Sequence, residues 1–228
     1  MGYRNLFYLI SLPFLIILLK WGISFYYLND LALDLKFLLN FNDQQYFPFI
    51  VSLSDINFSP SYNDYFVAEG VISFPYAPII IHSILFKFFD LQGYIIGELL
   101  FCIFGYLLVY YFLKKSGISN LSSIIVTFLI FFSPVILEYI SFFFPNKSLI
   151  SLKDSIFAYH LNSQRFPRPL VTNVFFYLSL IVLLNFVKNN FTVKKDYIFF
   201  GILLSLLLQS FIFLFLIAGF SFFIILLS

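Results

Sequence analysis

The chain has 228 residues, of which 61% are hydrophobic, 23% aromatic and only 11% charged, with a formal net charge of +2. Its mean hydropathy of +0.97 leaves too few polar residues to cover the surface of a soluble domain of this length. The composition therefore predicts an all-α, multispanning helical membrane protein. The sequence contains no phosphate-cradling glycine loop and no basic patch of the kind that binds nucleic acid, so we expect no nucleic-acid partner.

Membrane spans are predicted from runs of about 20 apolar residues, the length that crosses a hydrocarbon core about 30 Å thick. In chain order the sequence predicts five spans, over residues 6–28, 94–113, 121–144, 170–187 and 197–228. The last run is long for one helix, and Gly219 is a candidate break between a span and a returning segment. We treat residues 1–228 as a single transmembrane domain. Because the sequence stops inside an apolar run, we expect it to be truncated at its C-terminus.

Basic residues indicate the orientation of these spans. Six of them occupy the N-terminus and the two short loops predicted to share its side: Arg4, Lys114, Lys115, Lys188, Lys194 and Lys195. Loops rich in Lys and Arg are retained on the cytoplasmic side. The sequence therefore predicts a multi-pass protein of the plasma (inner) membrane, with the lipid bilayer as a partner and with loops 29–93 and 145–168 on the outer face.

The two outer loops carry opposite charges. Loop 29–93 holds seven acidic residues and two lysines, whereas loop 145–168 holds four basic residues and one aspartate. Most of these acids are expected to be solvated, since translocated loops tolerate Asp and Glu. Within the first loop, residues 79–89 are too short to span and too apolar to lie in water. This segment predicts a helix in the outer interface that starts at Pro78 and ends near Asp90.

Three short motifs in the first half of the chain are similar to those of a known family. They are Asp43-Gln44-Gln45-Tyr46, then Ser54-Asp55, then Phe74-Pro75-Tyr76-Ala77-Pro78, and they follow a first span and precede the predicted interfacial helix. This order resembles the N-terminal part of the GT-C-type membrane glycosyltransferases, which use polyprenyl-phosphate sugars as donors. The resemblance covers roughly residues 1–115.

The resemblance implies an inverting sugar transfer on the outer face of the membrane. A carboxylate takes the proton of the acceptor hydroxyl as that hydroxyl attacks the anomeric carbon. Asp43 is our choice for this general base, and Asp55 is the second candidate, which would orient the acceptor or hold a cation. Tyr46 and Tyr76 are expected to contact substrate. The partner is then a polyprenyl-phosphate-linked sugar.

Transfer from a lipid phosphate also needs positive charge for the departing phosphate, and arginine provides bidentate contacts that lysine cannot. Arg165 and Arg168 are the candidates, because the nearby prolines restrict their backbone. An equally good interpretation is that both arginines bind lipid headgroups. Glu138 falls in the outer half of its predicted span, where it would either pair with another buried charge or line the floor of the site.

Two further alternatives remain open from the sequence. We expect no cofactor, although Asp43 and Asp55 together offer ligands for a divalent cation. The second alternative is a non-catalytic multispanning protein, such as a transporter or flippase segment or an assembly subunit. A transporter would place polar residues or broken helices near the bilayer midplane, and only Gln209, Gly201 and Gly219 suggest this. The concentration of polar residues in the outer loops favours the glycosyltransferase.

Overall fold

The computed structural model describes residues 7, 9–15, 18, 46–58, 75–143 and 170–227, and for residues 132–143 it describes the backbone alone. The regular elements in these ranges are α-helices, and the described residues near the N-terminus, inside the first predicted span, are helical as well. Seven helices follow: α1 (Phe47–Ser54), α2 (Tyr76–Phe89), α3 (Gln92–Lys115), α4 (Asn120–Phe143), α5 (Leu170–Lys188), α6 (Lys194–Leu208) and α7 (Ile212–Leu227).

Helices α3, α4 and α5 confirm the helical segments predicted over 94–113, 121–144 and 170–187 to within two residues at each end. Helix α3 ends with Lys114 and Lys115 in its last turn, where positive charge interacts favourably with the helix dipole. The chain then turns through Gly117, which has a φ of 94° that side chains with a Cβ rarely adopt. This turn allows α4 to run back antiparallel to α3.

The centre of the fold is the contact of α3 with α4 and α5 at Gly105. A Cβ built on Gly105 would lie 3.1 Å from the ring of Phe131 in α4 and 3.9 Å from a methyl of Val174 in α5. The rings of Tyr106 and Phe131 pack edge to face, with centroids 5.6 Å apart. Further along α3, the Lys115 amine donates a hydrogen bond to Asn185 of α5. The contacts near Gly105 and Lys115 together show that α3 and α5 run parallel.

Helices α2 and α3 form a tight hairpin. Asp90 makes the turn between them with a positive φ of 52°. Gly93 lies so close to α2 that a Cβ there would be 2.6 Å from the backbone oxygen of Leu85. Further along, the His82 ring lies 6.0 Å from that of Phe101. Residues further along α3 therefore contact residues nearer the start of α2, so the two helices are antiparallel.

A helix is present where the sequence predicts the interfacial helix, as α2, but it begins two residues earlier than expected, at Tyr76. Its location at a membrane interface stays a prediction. Pro78 is the third residue of the helix, within the first turn, where a missing N–H costs no hydrogen bond. Helix α1 was not predicted as a separate element. It has Pro48 in its first turn and packs against the hairpin through Phe47, whose ring lies 5.0 Å from that of Tyr94.

The last apolar run, predicted over 197–228, is two helices. The break falls at Gln209–Phe211, so the break suggested at Gly219 is wrong: Gly219 lies inside α7. Helix α7 folds back along α6, because the ring of Phe222 lies 5.1 Å from that of Phe200 and 5.4 Å from that of Phe186 in α5. Near the break, Leu207 and Leu214 form a cluster that packs against Phe175 and Phe176 of α5.

Both ends of the α6–α7 hairpin therefore lie at the C-terminal end of α5. Helix α6 has 15 residues and α5 has 19. At about 1.5 Å per residue, α6 is roughly 22 Å long and α5 roughly 28 Å. The hairpin tip is level with Phe175 and Phe176, short of the first turn of α5.

We expect Gly93→Ala to lower the thermal unfolding temperature of the detergent-purified protein by several degrees. The new methyl would overlap the Leu85 carbonyl, and overpacking of this kind costs about 1–3 kcal/mol. Gly219→Ala is the matched control, since a Cβ at Gly219 meets no atom within 4 Å and alanine favours a helix. Equal unfolding temperatures for Gly93→Ala and the parent would contradict the close contact.

Candidate functional site

The helix bundle has two chemically different ends. The C-termini of α3 and α5 and the N-terminus of α6 bring together one set of basic residues, which we call the lysine end: Lys114, Lys115, Lys188, Lys194 and Lys195. The Lys188 amine donates to the backbone oxygen of Lys115, and this bond joins the last turns of α3 and α5. The basic residues predicted to share the cytoplasmic side are thus neighbours in the fold, apart from Arg4, which lies outside the described residues.

The opposite end, which we call the Asp90 end, carries the attachment points of both charged segments. Helix α4 runs antiparallel to α3 and ends there at Phe143, and α5 begins on that side at Leu170. Residues 144–169, which contain the predicted arginine pair, connect these two points. Helices α1 and α2, which belong to the acidic segment 29–93, pack on the same half of α3. The acidic and basic segments are therefore anchored at the same end.

Three predicted site residues are described in full. Tyr46 immediately precedes α1 and is 7% exposed, and Tyr76, the first residue of α2, packs against the same apolar cluster. Both tyrosines contribute to the core that joins α1, α2 and α3. Asp55 is exposed at the C-terminal cap of α1. The eight residues of α1 separate it from Tyr46 by roughly 12 Å along the helix, so the structure does not place these two together.

The segment after Tyr46 faces the protein. Ile50 is completely buried, and Phe47 and Phe49 pack against the core cluster. These apolar residues anchor α1 on the α2–α3 hairpin, and this anchoring fixes the position of Asp55 at the C-terminal end of α1.

The remaining predicted site residues are not placed. Asp43, Arg165 and Arg168 lie outside the described residues. Glu138 belongs to α4, and its side chain is not described. The roles assigned to these four residues stay predictions.

Two buried ionisable residues stand out at the α2–α3 contact. His82 is 1% exposed and Glu98 is 3% exposed. A Cβ on Gly97, the neighbour of Glu98, would be 3.0 Å from the His82 ring, so the histidine sits where the glycine leaves space. Burial lowers the pKa of His82 well below its ordinary value, and the imidazole is neutral at pH 7.

The sequence motifs assign no role to His82. A signal for its burial was present, because Ile79, His82, Ser83 and Phe86 repeat at the spacing of one helix face. Ser83 is also buried on this face, and its hydroxyl donates to the backbone oxygen of Ile79 at 2.7 Å. A buried imidazole whose pKa is perturbed in this way is a kind of group that also occurs at functional sites.

The described residues contain no group of three or more His, Cys, Asp or Glu side chains that could hold a metal ion. The cation alternative depends on Asp43 and stays untested.

A shallow groove of about 300 Å³ runs along α3 and is lined by Leu100, Phe101, Ile103, Phe104 and Leu107. Its lining is apolar, so the groove is suited to contact with hydrocarbon chains.

Comparison of the chain with known protein families, with curated proteins and with solved structures finds no match.

We expect stability to fall as the pH is lowered from 7.5 to 5.5. The unfolded chain takes up a proton near the ordinary histidine pKa of about 6.5, whereas buried His82 resists protonation until a lower pH. The contribution of neutral His82 to the free energy of unfolding is thus fully present above pH 6.5 and is lost as the pH falls below it. Unfolding temperatures measured across this range should show a smaller slope for His82→Gln. His160→Gln isolates the contribution of the second histidine, and an unchanged slope in His82→Gln would contradict the assignment.

Proposed function

We propose that the chain is an integral membrane protein. The observation that supports this is the surface of the described helices, which carries large exposed apolar side chains on each of α2 to α7. On α2 they form a stripe of Ile80, Ile84 and Phe88, and on α7 a stripe of Phe213, Phe220 and Ile224. Soluble monomers rarely expose apolar patches larger than a few hundred Å². Two described helices, Gln92–Lys115 and Leu170–Lys188, are long and apolar enough to cross a membrane.

We further propose that the lysine end faces the cytoplasm and the Asp90 end faces out. Retention of basic loops on the cytoplasmic side supports this orientation. Two half-exposed tyrosines near the lysine end, Tyr111 and Tyr197, occupy positions suited to the membrane–water interface. Helix α2 has only 14 residues, too few to span, and its exposed apolar stripe suits insertion from the outer interface.

At the Asp90 end we propose the activity of a polyprenyl-phosphate-dependent glycosyltransferase. The observation that carries this proposal is the attachment of segment 144–169 and of α1 and α2 to the same end of the bundle. An acidic segment that supplies a base and a basic segment that supplies phosphate contacts would then meet at one membrane surface.

In this proposal the charged residues keep the roles implied by the sequence. Asp43 is the general base, and Asp55 is the second carboxylate. Arg165 and Arg168 bind the lipid phosphate. Because Tyr46 is buried and Tyr76 is partly buried against the same core, we assign both to positioning α1 and α2.

A non-catalytic transport function is the second candidate, and the α6–α7 hairpin favours it. Transporters use broken helices and re-entrant segments near the midplane of the membrane. The hairpin breaks at Gln209 and Ser210, with the Gln209 side chain exposed and Ser210 fully buried. The polar break falls inside a stretch that the sequence predicts as part of a span.

The orientation predicts a labelling pattern for single cysteines in intact cells. Ser61→Cys should react with a membrane-impermeant maleimide, whereas Ser116→Cys and Leu227→Cys should react only after the membrane is opened. The parent is the blank, because its single cysteine, Cys102, is buried. Labelling of Leu227→Cys from outside would show that residues 194–227 cross the membrane and would exclude a re-entrant hairpin.

The transferase proposal predicts loss of activity in Asp43→Asn, since the amide keeps the size of the side chain and removes its basicity. Sugar transfer by the full chain in nanodiscs, tested with radiolabelled polyprenyl-phosphate hexoses and pentoses, should fall at least about 100-fold. Asp30→Asn and Asp64→Asn are matched controls that should retain activity. Arg165→Lys should weaken donor binding, because lysine lacks the bidentate fork.

If Asp55→Asn is inactive while Asp43→Asn is active, Asp55 is the base. Full activity in both variants would mean that neither carboxylate is the base. If the parent itself transfers no sugar, transport is favoured, and Gln209→Ala should then reduce substrate flux in proteoliposomes.

A further inference from the structure

The lysine end carries more positive charge than its contacts within the fold require. Three of its five lysines donate to protein oxygens. Lys188 donates to Lys115, Lys115 donates to Asn185, and Lys114 donates to the backbone oxygen of Ile118 at 3.3 Å. These three amines interact with the C-terminal turns of α3 and α5, where the helix dipole favours positive charge. Helix packing therefore accounts for them.

The other two lysines have no such structural explanation. Lys194 and Lys195 are exposed in the first turn of α6, and neither makes a hydrogen bond or ion pair with another described residue. Positive charge at a helix N-terminus opposes the helix dipole and is unfavourable. Helix stability thus disfavours both residues, and a favourable interaction with something outside the described fold would offset this cost.

The surroundings indicate what that partner is. Among the described residues at the lysine end, Asp196 is the only carboxylate, so the end has a strong positive excess. Tyr111 and Tyr197 lie beside the lysines with exposed fractions of 52% and 40%. The Lys115 amine lies 5.7 Å from the centre of the Tyr111 ring, and the Tyr197 hydroxyl donates to the Phe191 backbone at 3.1 Å. Exposed apolar side chains, including Ile198 and Phe199, follow directly along α6.

We propose that the lysine end is a binding surface for the headgroups of anionic phospholipids, with Lys194 and Lys195 as the principal contacts. The order of groups along α6, from lysines through a tyrosine to large apolar residues, matches the order of phosphates, interface and acyl chains in a bilayer leaflet. The proposal depends on the membrane embedding proposed above and is independent of the transferase activity.

The proposal is tested with the full chain in nanodiscs of phosphatidylcholine, with phosphatidylglycerol increased stepwise. Phosphatidylglycerol should raise the unfolding temperature of the parent, and the shift should shrink as NaCl is raised from 0.1 to 0.5 M. Lys194→Gln combined with Lys195→Gln should increase the mole fraction of anionic lipid needed for half of the shift roughly tenfold or more. Lys87→Gln is the matched control, because Lys87 is an exposed lysine in the last turn of α2, near the Asp90 end.

Two outcomes would overturn the lipid proposal. The first is an equal lipid response in the double variant and the parent. The second is an equal shift produced by inorganic phosphate alone in phosphatidylcholine nanodiscs, which would assign the surface to a soluble anion. Extraction of the protein from cell membranes by alkaline carbonate would instead contradict the membrane embedding, and it distinguishes failure of that proposal from failure of the lipid surface.

Discussion

The close approach of helices at the glycines of α3 is the constraint on which the rest of the structure depends. Gly93 and Gly97 allow α2 to lie against α3 on one side, and Gly105 allows α4 and α5 to approach on another. In a lipid environment the burial of apolar side chains between helices brings little gain, so small residues that permit dense backbone packing direct association. Because α3 contacts these three neighbours, it also determines which segments emerge at each end of the bundle.

Four hydroxyl groups inside the bundle bond to their own stretch of chain and not to neighbouring helices. Ser83, Thr127 and Ser179 each donate to a backbone oxygen three or four residues earlier in the same helix, and Ser210, in the break after α6, donates to Leu206. Such bonds remove the cost of burying a hydroxyl and leave the contacts between helices to rings and aliphatic groups. His82 and Glu98 differ from these hydroxyls, because they are ionisable groups buried at the contact between α2 and α3.

The sequence predicted the elements that are bounded by charge. The ends of α3 and α5 follow Lys115 and Lys188, because a lysine at a helix end marks the limit of an apolar run. The break in the last run was misplaced, since glycine is tolerated inside a helix when no partner requires its space, as at Gly219. The real break depends on α7 folding against Phe186 and Phe200, a tertiary contact that periodicity alone does not reveal.

The candidate site was harder to predict from the sequence than the fold was. Its residues were chosen from short motifs, and a motif does not show which side chains point into the core. Tyr46 illustrates this difficulty, because its position before Pro48 places it at the start of a helix that packs inward. His82 is the converse case, since helix periodicity indicates its burial although no sequence motif includes it.

The α6–α7 hairpin has a consequence for how the protein enters a membrane. Both of its ends lie at the lysine end, and the residues between Asp196 and the end of α7 carry no charge. In the proposed orientation, this part of the chain would insert from the cytoplasmic side as a preformed pair of helices. The hairpin would enter the hydrocarbon with its uncharged tip at Gln209 and Ser210 first, and the tip does not have to reach the far surface. Insertion of residues 194–227 would then need neither translocation of a hydrophilic loop nor a membrane potential acting on charged side chains.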